Sequence, residues 1–213
     1  MVFLGVSISH NASACLMING KVTIVAQEER FTQKKNFHGY PKKSIDYILK
    51  FLKKKKLKID SIAFSSQYFS PFDRMIPVSH FFTIQDFKNY YGDHYYVRKL
   101  NNLPTDHYIK NLIKDKRNNM DLYIDYRKYK NKKNLHNVKL FRKDQVDFIH
   151  RQTKVKKNKI FFLNHHGCHA HYAYFAYVDN FTKSAVLTID SQGDYLNQTV
   201  WVTKDDDKVN KNG

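Results

Sequence analysis

Asn19-Gly20 separates two apolar runs, Ser13-Ala-Cys-Leu-Met-Ile18 and Lys21-Val-Thr-Ile-Val-Ala26. This dipeptide is the strongest short signal for a two-residue hairpin, because both turn positions need a positive φ that Asn tolerates and Gly adopts freely. Residues 2–8 form an earlier apolar run of strand length, so the chain is expected to open as an antiparallel meander. From Pro41, Ile45, Ile48, Leu49 and Leu52 fall on one helical face, and Lys53-Lys-Lys-Lys56 closes the helix at the negative end of its dipole. Ser61-Ile-Ala-Phe-Ser65 reads as the next strand.

Periodicity weakens from about 66 to 158, with helices expected near 84–91, 105–117 and 144–151. Order returns with a strand at 159–163, a helix at 166–177, a strand at 185–189 and another at 195–203. The charged last ten residues end on a second Asn-Gly and read as a hairpin turn whose second strand is missing. This succession suggests one mixed sheet covered by helices, with residues 66–158 an elaboration on it.

The 213 residues include 42% hydrophobic ones, with 16 Phe and 15 Tyr, enough for a sizeable core. No apolar run nears the roughly 18 residues that span a bilayer, and the start lacks a basic region and a cleavage site. Cys15 and Cys168 form no pair motif, so reduced thiols in a cytoplasmic protein are expected. The net charge of +18 is uneven. Residues 31–159 carry 31 basic against 11 acidic residues, a net of +20, while the two ends carry 6 against 8, a net of −2. AT-rich codon bias and a surface for anionic ligands both account for that excess.

Four histidines fall within Asn164-His165-His166-Gly167-Cys168-His169-Ala170-His171. Neutral imidazole is the commonest protein ligand for a transition metal, and buried imidazoles need partners for both nitrogens. If this stretch opens a helix, His165 and His169 lie four apart on one face and can converge on one ion. His166 and His171 point elsewhere and read as supporting residues. A polar helix end with solvated histidines is the plainer alternative.

Three segments carry a family resemblance: Gly5-Val-Ser-Ile-Ser-His10-Asn11-Ala-Ser13-Ala14, Ala26-Gln-Glu28-Glu-Arg30-Phe-Thr32, and the histidine cluster followed by Asp190-Ser-Gln-Gly193-Asp194. In order and spacing they resemble the carbamoyltransferases of nodulation and antibiotic tailoring, over residues 3–52 and 160–203. The resemblance implies an α/β fold of the actin-like ATPase (ribonuclease-H-like) type, related to the enzymes that transfer threonylcarbamoyl to tRNA. It also implies a metal and a nucleotide meeting in a cleft, and a carbamoyl-adenylate, made from ATP and carbamoyl phosphate, that passes its carbamoyl group to an acceptor hydroxyl.

On that basis His10 is expected as the general base, and His165 and His169 as ligands of a divalent metal. Nitrogen donors favour iron or another borderline metal over calcium. Asp190, Gly193 and Asp194 are expected to cradle nucleotide phosphate or hold the metal through water. Glu28 and Arg30 are expected as a buried, mutually satisfied pair beside the site or, alternatively, as a surface salt bridge, with Asn11 and His166 in support. Three departures stand out: Asn11 replaces an acidic residue, Ser191-Gln192 replace a glycine-led turn, and Asp194 replaces a glutamate.

The reading is an amino-terminal lobe of an O-carbamoyltransferase spanning 1–213, expected to be truncated and inactive alone. A second lobe and a YrdC-like domain would be its missing partners, and a sugar or natural-product hydroxyl its acceptor. The alternative is a nucleic-acid-binding or scaffolding protein that uses the basic middle segment on a degenerate catalytic lobe; steep salt dependence would mark it.

Overall fold

The computed structural model describes residues 1–8, 11–37, 39–67, 84–88, 92, 96–103, 138–176, 184–204 and 208–212. Strand Val2–Ser7 (β1) centres the larger sheet. Ser13–Ile18 (β2) pairs with it antiparallel, and Lys21–Gln27 (β3) continues antiparallel from β2. Asn19 and Gly20 take φ of 50° and 80°, so the turn between β2 and β3 has both central residues in the left-handed region, as expected. On the other edge of β1, Ser61–Phe64 (β4) runs parallel, and Ile160–Phe162 (β5) runs parallel to β4. The order is β3-β2-β1-β4-β5.

Period-2 burial explains which face is covered. Val2, Leu4, Val6, Ile62 and Phe64 point inward, where they meet Ile45, Ile48 and Leu52 of helix Lys42–Lys54. Glu28–Thr32 forms a short helix (α1), and Lys42–Lys54 is the second (α2). In the middle segment Ile84–Phe87 (α3) and Val97–Leu100 (α4) are single turns, and Val138–Thr153 (α5) adds Phe141 and Ile149 to the same core. Each such side chain stabilises the fold by about 1.5–3 kcal/mol through burial. The helix expected near 144–151 thus begins six residues earlier, at Val138. The one expected at 105–117 lies outside the described residues.

His165–Ala176 forms helix α6 and lies against a separate three-stranded antiparallel sheet, Ala185–Gly193 (β6), Leu196–Lys204 (β7) and Lys208–Asn212 (β8). Two expectations are corrected here. The described strands form two sheets rather than one, and the last residues do not lack a partner: β8 pairs with β7 along Val200–Lys204. The class is mixed α/β with flanking helices. No described helix is long and apolar enough to cross a membrane.

The expected Glu28–Arg30 pair is also corrected. Glu28 is 2% exposed and its carboxylate accepts from the backbone N–H of Lys43 (3.0 Å), the N–H of Ser44 (2.8 Å) and the Ser44 hydroxyl (2.7 Å). It therefore caps α2, whose first N–H groups have no partner within the helix. Arg30 is largely exposed and reaches Glu29 at 4.0 Å. Meanwhile Glu28 N–H donates to Ala12 O, and Ala12 N–H to Phe37 O, both at 2.9 Å. The second motif thus braces the β1–β2 connection on which His10 is carried. Glu28→Ala should lower unfolding free energy in urea by about 2–4 kcal/mol, because two buried donors and one part-buried donor lose their acceptor. Arg30→Ala should change it by less than about 0.5 kcal/mol. Equal losses would restore the paired reading.

Candidate metal centre

Helix α6 has no clean apolar stripe, and polar anchors fix it instead. Asn164 caps it, its Oδ1 accepting from Gly167 N–H at 2.8 Å. His166 is fully buried. Its Nε2 lies 3.0 Å from the carbonyl of Leu196 and must donate, since a carbonyl only accepts; its Nδ1 then accepts from the Thr188 hydroxyl at 2.8 Å. The polar chain continues through Thr188 to Thr199 (2.6 Å), whose hydroxyl accepts from Trp201 Nε1 (2.5 Å). Every buried donor along this run has an acceptor, which makes such a network stabilising rather than costly. His166 is thus a structural anchor, and Thr188 and the Leu196 carbonyl, which no motif marked, are its partners. The fourth histidine, His171, turns back to Gly167 O at 2.7 Å.

With α6 held this way, His165 and His169 face Asp190, near the end of β6. His165 Nε2 is 2.8 Å from Asp190 Oδ2, His169 Nε2 is 3.1 Å from His165 Nε2, and His169 Nε2 is 3.6 Å from the same carboxylate. Among the described residues this is the group whose ligand atoms converge in the way a metal site requires, all within 4.8 Å of one another. One cation about 2.0–2.1 Å from each donor would set them roughly 3.0–3.4 Å apart. Proton counting points the same way. The in-plane position on His165 Nε2 faces both Asp190 and His169, and one hydrogen cannot serve both, whereas one cation satisfies all three donors. Two imidazoles and a carboxylate suit iron or zinc. The donors line a cleft of about 590 Å³ that also touches Ser7, Ser65 and Tyr172.

The turn after Asp190 is filled from within the protein. Asp194 and Tyr195 take φ of 48° and 66°, closing a two-residue hairpin between Gly193 and Leu196. A Cβ on Gly193 would stand 2.0 Å from Cδ2 of His165, so the close backbone approach expected there is made by an imidazole. Asp194 accepts from His165 N–H at 2.6 Å and from the Ser66 hydroxyl at 2.6 Å. Asn11 is exposed at φ 54°, a backbone that asparagine accepts readily, which explains its place after His10. His10 itself lies outside the described residues; the strand preceding it ends at Ser7, on the cleft.

Electrostatics favour the ligating forms. Partial burial, and then neighbouring His165, hold His169 below the ordinary imidazole value. Burial opposes ionisation of Asp190, but hydrogen bonds from His165 and Ser191 N–H and the two imidazoles outweigh it, and its carboxyl falls below the usual range. Burial, and then Asp194, push the Cys168 thiol up to about 11, so it stays protonated at neutral pH and does not compete as a ligand.

The carbamoyltransferase N-terminus family profile matches residues 2–212, and so runs through the 66–158 segment that the motifs left unmatched. An uncharacterized protein of Methanocaldococcus jannaschii is 43% identical over 65 residues, 30% of this chain and 12% of that protein. The chain thus matches about an eighth of that relative's length.

In the metal-free protein, the His169 ring proton should titrate by NMR below the ordinary imidazole value. Removing the like charge with His165→Ala should raise the midpoint, and Asp190→Asn should lower it further. Because the folded value is depressed, the associated stability is full above the unfolded imidazole pKa and is lost as pH falls through the window below it. A midpoint above the ordinary value would contradict this arrangement.

Proposed function

From the premise that the chain belongs to the carbamoyltransferase N-terminal family, we propose that it forms the metal-binding wall of an O-carbamoyltransferase site. The observation that carries this reading is the convergence of His165, His169 and Asp190 on one cleft. The five-stranded mixed sheet, three antiparallel strands followed by two parallel ones, supports the ribonuclease-H-like, actin-related form of the fold.

In this reading His165, His169 and Asp190 hold a divalent metal, with iron first among the candidates. Bound there, it would supply Lewis-acid stabilisation of negative charge on substrate oxygen. Depressed proton affinity keeps His169 and Asp190 in their ligating states at neutral pH. ATP and carbamoyl phosphate are the sources of a carbamoyl-adenylate. His10, three residues beyond the cleft-lining Ser7, takes the proton of the acceptor hydroxyl on an unprotonated ring nitrogen. The acceptor oxygen then bonds to the carbamoyl carbon as the bond from that carbon to the adenylate oxygen breaks. The acceptor is a small molecule bearing a hydroxyl, a sugar or a natural product. Further domains of a larger enzyme, a second lobe and a YrdC-like domain, would be its partners.

The test uses the full protein that carries these residues, with carbamoyl phosphate, ATP and a panel of hydroxyl acceptors, read by mass spectrometry. A carbamoylated acceptor is expected. His10→Asn should leave metal content unchanged and slow transfer by about 100- to 10,000-fold, the range for loss of a positioned general base. His165→Ala should abolish both metal content and transfer. Transfer at the parental rate by His10→Asn would remove His10 from the mechanism, and threonylcarbamoylated tRNA as the product would replace the proposed acceptor.

A further inference from the structure

We propose that Asp194 is a positioning residue for the metal centre, fixing the imidazole of His165 and tying it to both feet of the 66–158 segment. This rests on the metal reading of His165, His169 and Asp190. Asp194 sits in the turn that follows Asp190, and its carboxylate collects donors from places far apart in the chain. Oδ2 accepts the backbone N–H of His165 at 2.6 Å, and Oδ1 accepts the Ser66 hydroxyl at 2.6 Å. Gln67 N–H is shared between the two oxygens at 3.0 and 3.1 Å. The carbonyl of Gln67 in turn accepts Nε of Arg142 at 2.5 Å and a second guanidinium N–H of the same residue. Arg142 belongs to α5, and its guanidinium also lies over the Phe162 ring of β5, 5.5 Å from the centroid.

The segment that begins at Ser66 is therefore hydrogen-bonded to the carboxylate at its start, and α5, on its return, is linked to that start through Arg142 and the Gln67 carbonyl. That carboxylate holds the first residue of α6, whose ring is the ligand. Asp194 meets the first N–H of α6, but capping alone does not account for its other contacts, because Asn164 already caps that helix from its own chain neighbourhood. What Asp194 adds is placement. The His165 backbone is held by Asp194, one face of its ring rests on the bare backbone of Gly193, and its Nε2 meets Asp190. Asp190 and Gly193 of β6 and Asp194 of the turn that follows thus together determine where a single imidazole stands. Partners that orient a metal ligand typically change affinity 10- to 100-fold when removed.

The proposal separates from a role in nucleotide binding by measuring metal affinity and ring position without turnover. The chain is stripped with a chelator and titrated with Zn(II) by calorimetry, Co(II) absorption reports coordination, and NMR follows the His165 and His150 ring signals in the metal-free state. Asp194→Asn keeps the side-chain shape but presents an amide in place of one carboxylate oxygen. It should weaken Zn(II) by about 10- to 100-fold, change the Co(II) spectrum, and shift the His165 signals while leaving His150 unmoved. Ser66→Ala removes one donor from the carboxylate and should act in the same direction more weakly, which covers the case where Asp194→Asn fails to fold. Parental Zn(II) affinity with unmoved His165 signals in these variants overturns the proposal, all the more if ATP binding alone is lost. Should the parental chain bind no metal, the metal reading fails; His165 signals that still shift in Asp194→Asn would then retain its positioning role, and unmoved signals would end both.

Discussion

A buried imidazole must find partners for both of its nitrogens, and for His166 the partners lie on two strands of the same small sheet. That requirement decides where α6 rests. Thr188 and the Leu196 carbonyl accept only one placement of the ring, and the Thr188–Thr199–Trp201 chain behind it extends the constraint across β6 and β7. Leaving such a ring unsatisfied would cost a few kcal/mol, comparable with the whole margin that keeps a domain folded. The apolar contacts of α6, through Ala170, Tyr174 and Trp201, fill the interface but lack the directionality to set helix rotation. Rotation is what matters here: an error of one residue in the helix would carry His165 and His169 off the face that meets Asp190.

Two kinds of carboxylate work follow from this placement. Asp190 faces the cleft and shares its oxygen with two imidazoles, an arrangement short of protons and suited to a cation. Asp194 and Glu28 face inward and are spent on backbone donors, one at the start of α6 and one at the start of α2. The two helix starts thus follow a common rule, in which an acid distant in sequence meets the positive end of a helix dipole. Glu28 also meets the connection that carries His10, so the motifs at 5–14 and 26–32 are joined through backbone hydrogen bonds rather than through shared ligation.

Much of this was legible in the residues. The Asn19-Gly20 turn, the alternation of β1 and β2 and the apolar face of α2 are local patterns, and the structure follows them closely. The spacing of His165 and His169 likewise reads directly as one helical face. The misses are contacts that no local pattern encodes. Glu28 looked like a partner for Arg30 two residues away, whereas its carboxylate accepts from donors 15 and 16 positions on. Asp190 was expected to cradle phosphate or to hold the metal through water; its carboxylate instead meets His165 directly from 25 positions away, a separation set by how β6 returns past α6. Strand β8 was invisible because Lys208–Asn212 is polar and lacks alternation, and its pairing depends on an edge supplied by β7. The resemblance pointed to the family; the geometry shows which partners Glu28, His166 and Asp194 meet.

X-ray absorption at the metal edge of the chain reconstituted with one divalent metal tests the central claim most directly. The account predicts scattering from two imidazole rings and one carboxylate, with bound metal and its imidazole signal lost in His169→Ala as in His165→Ala. A metal shell of oxygen alone, or an imidazole signal unchanged in His169→Ala, would contradict it.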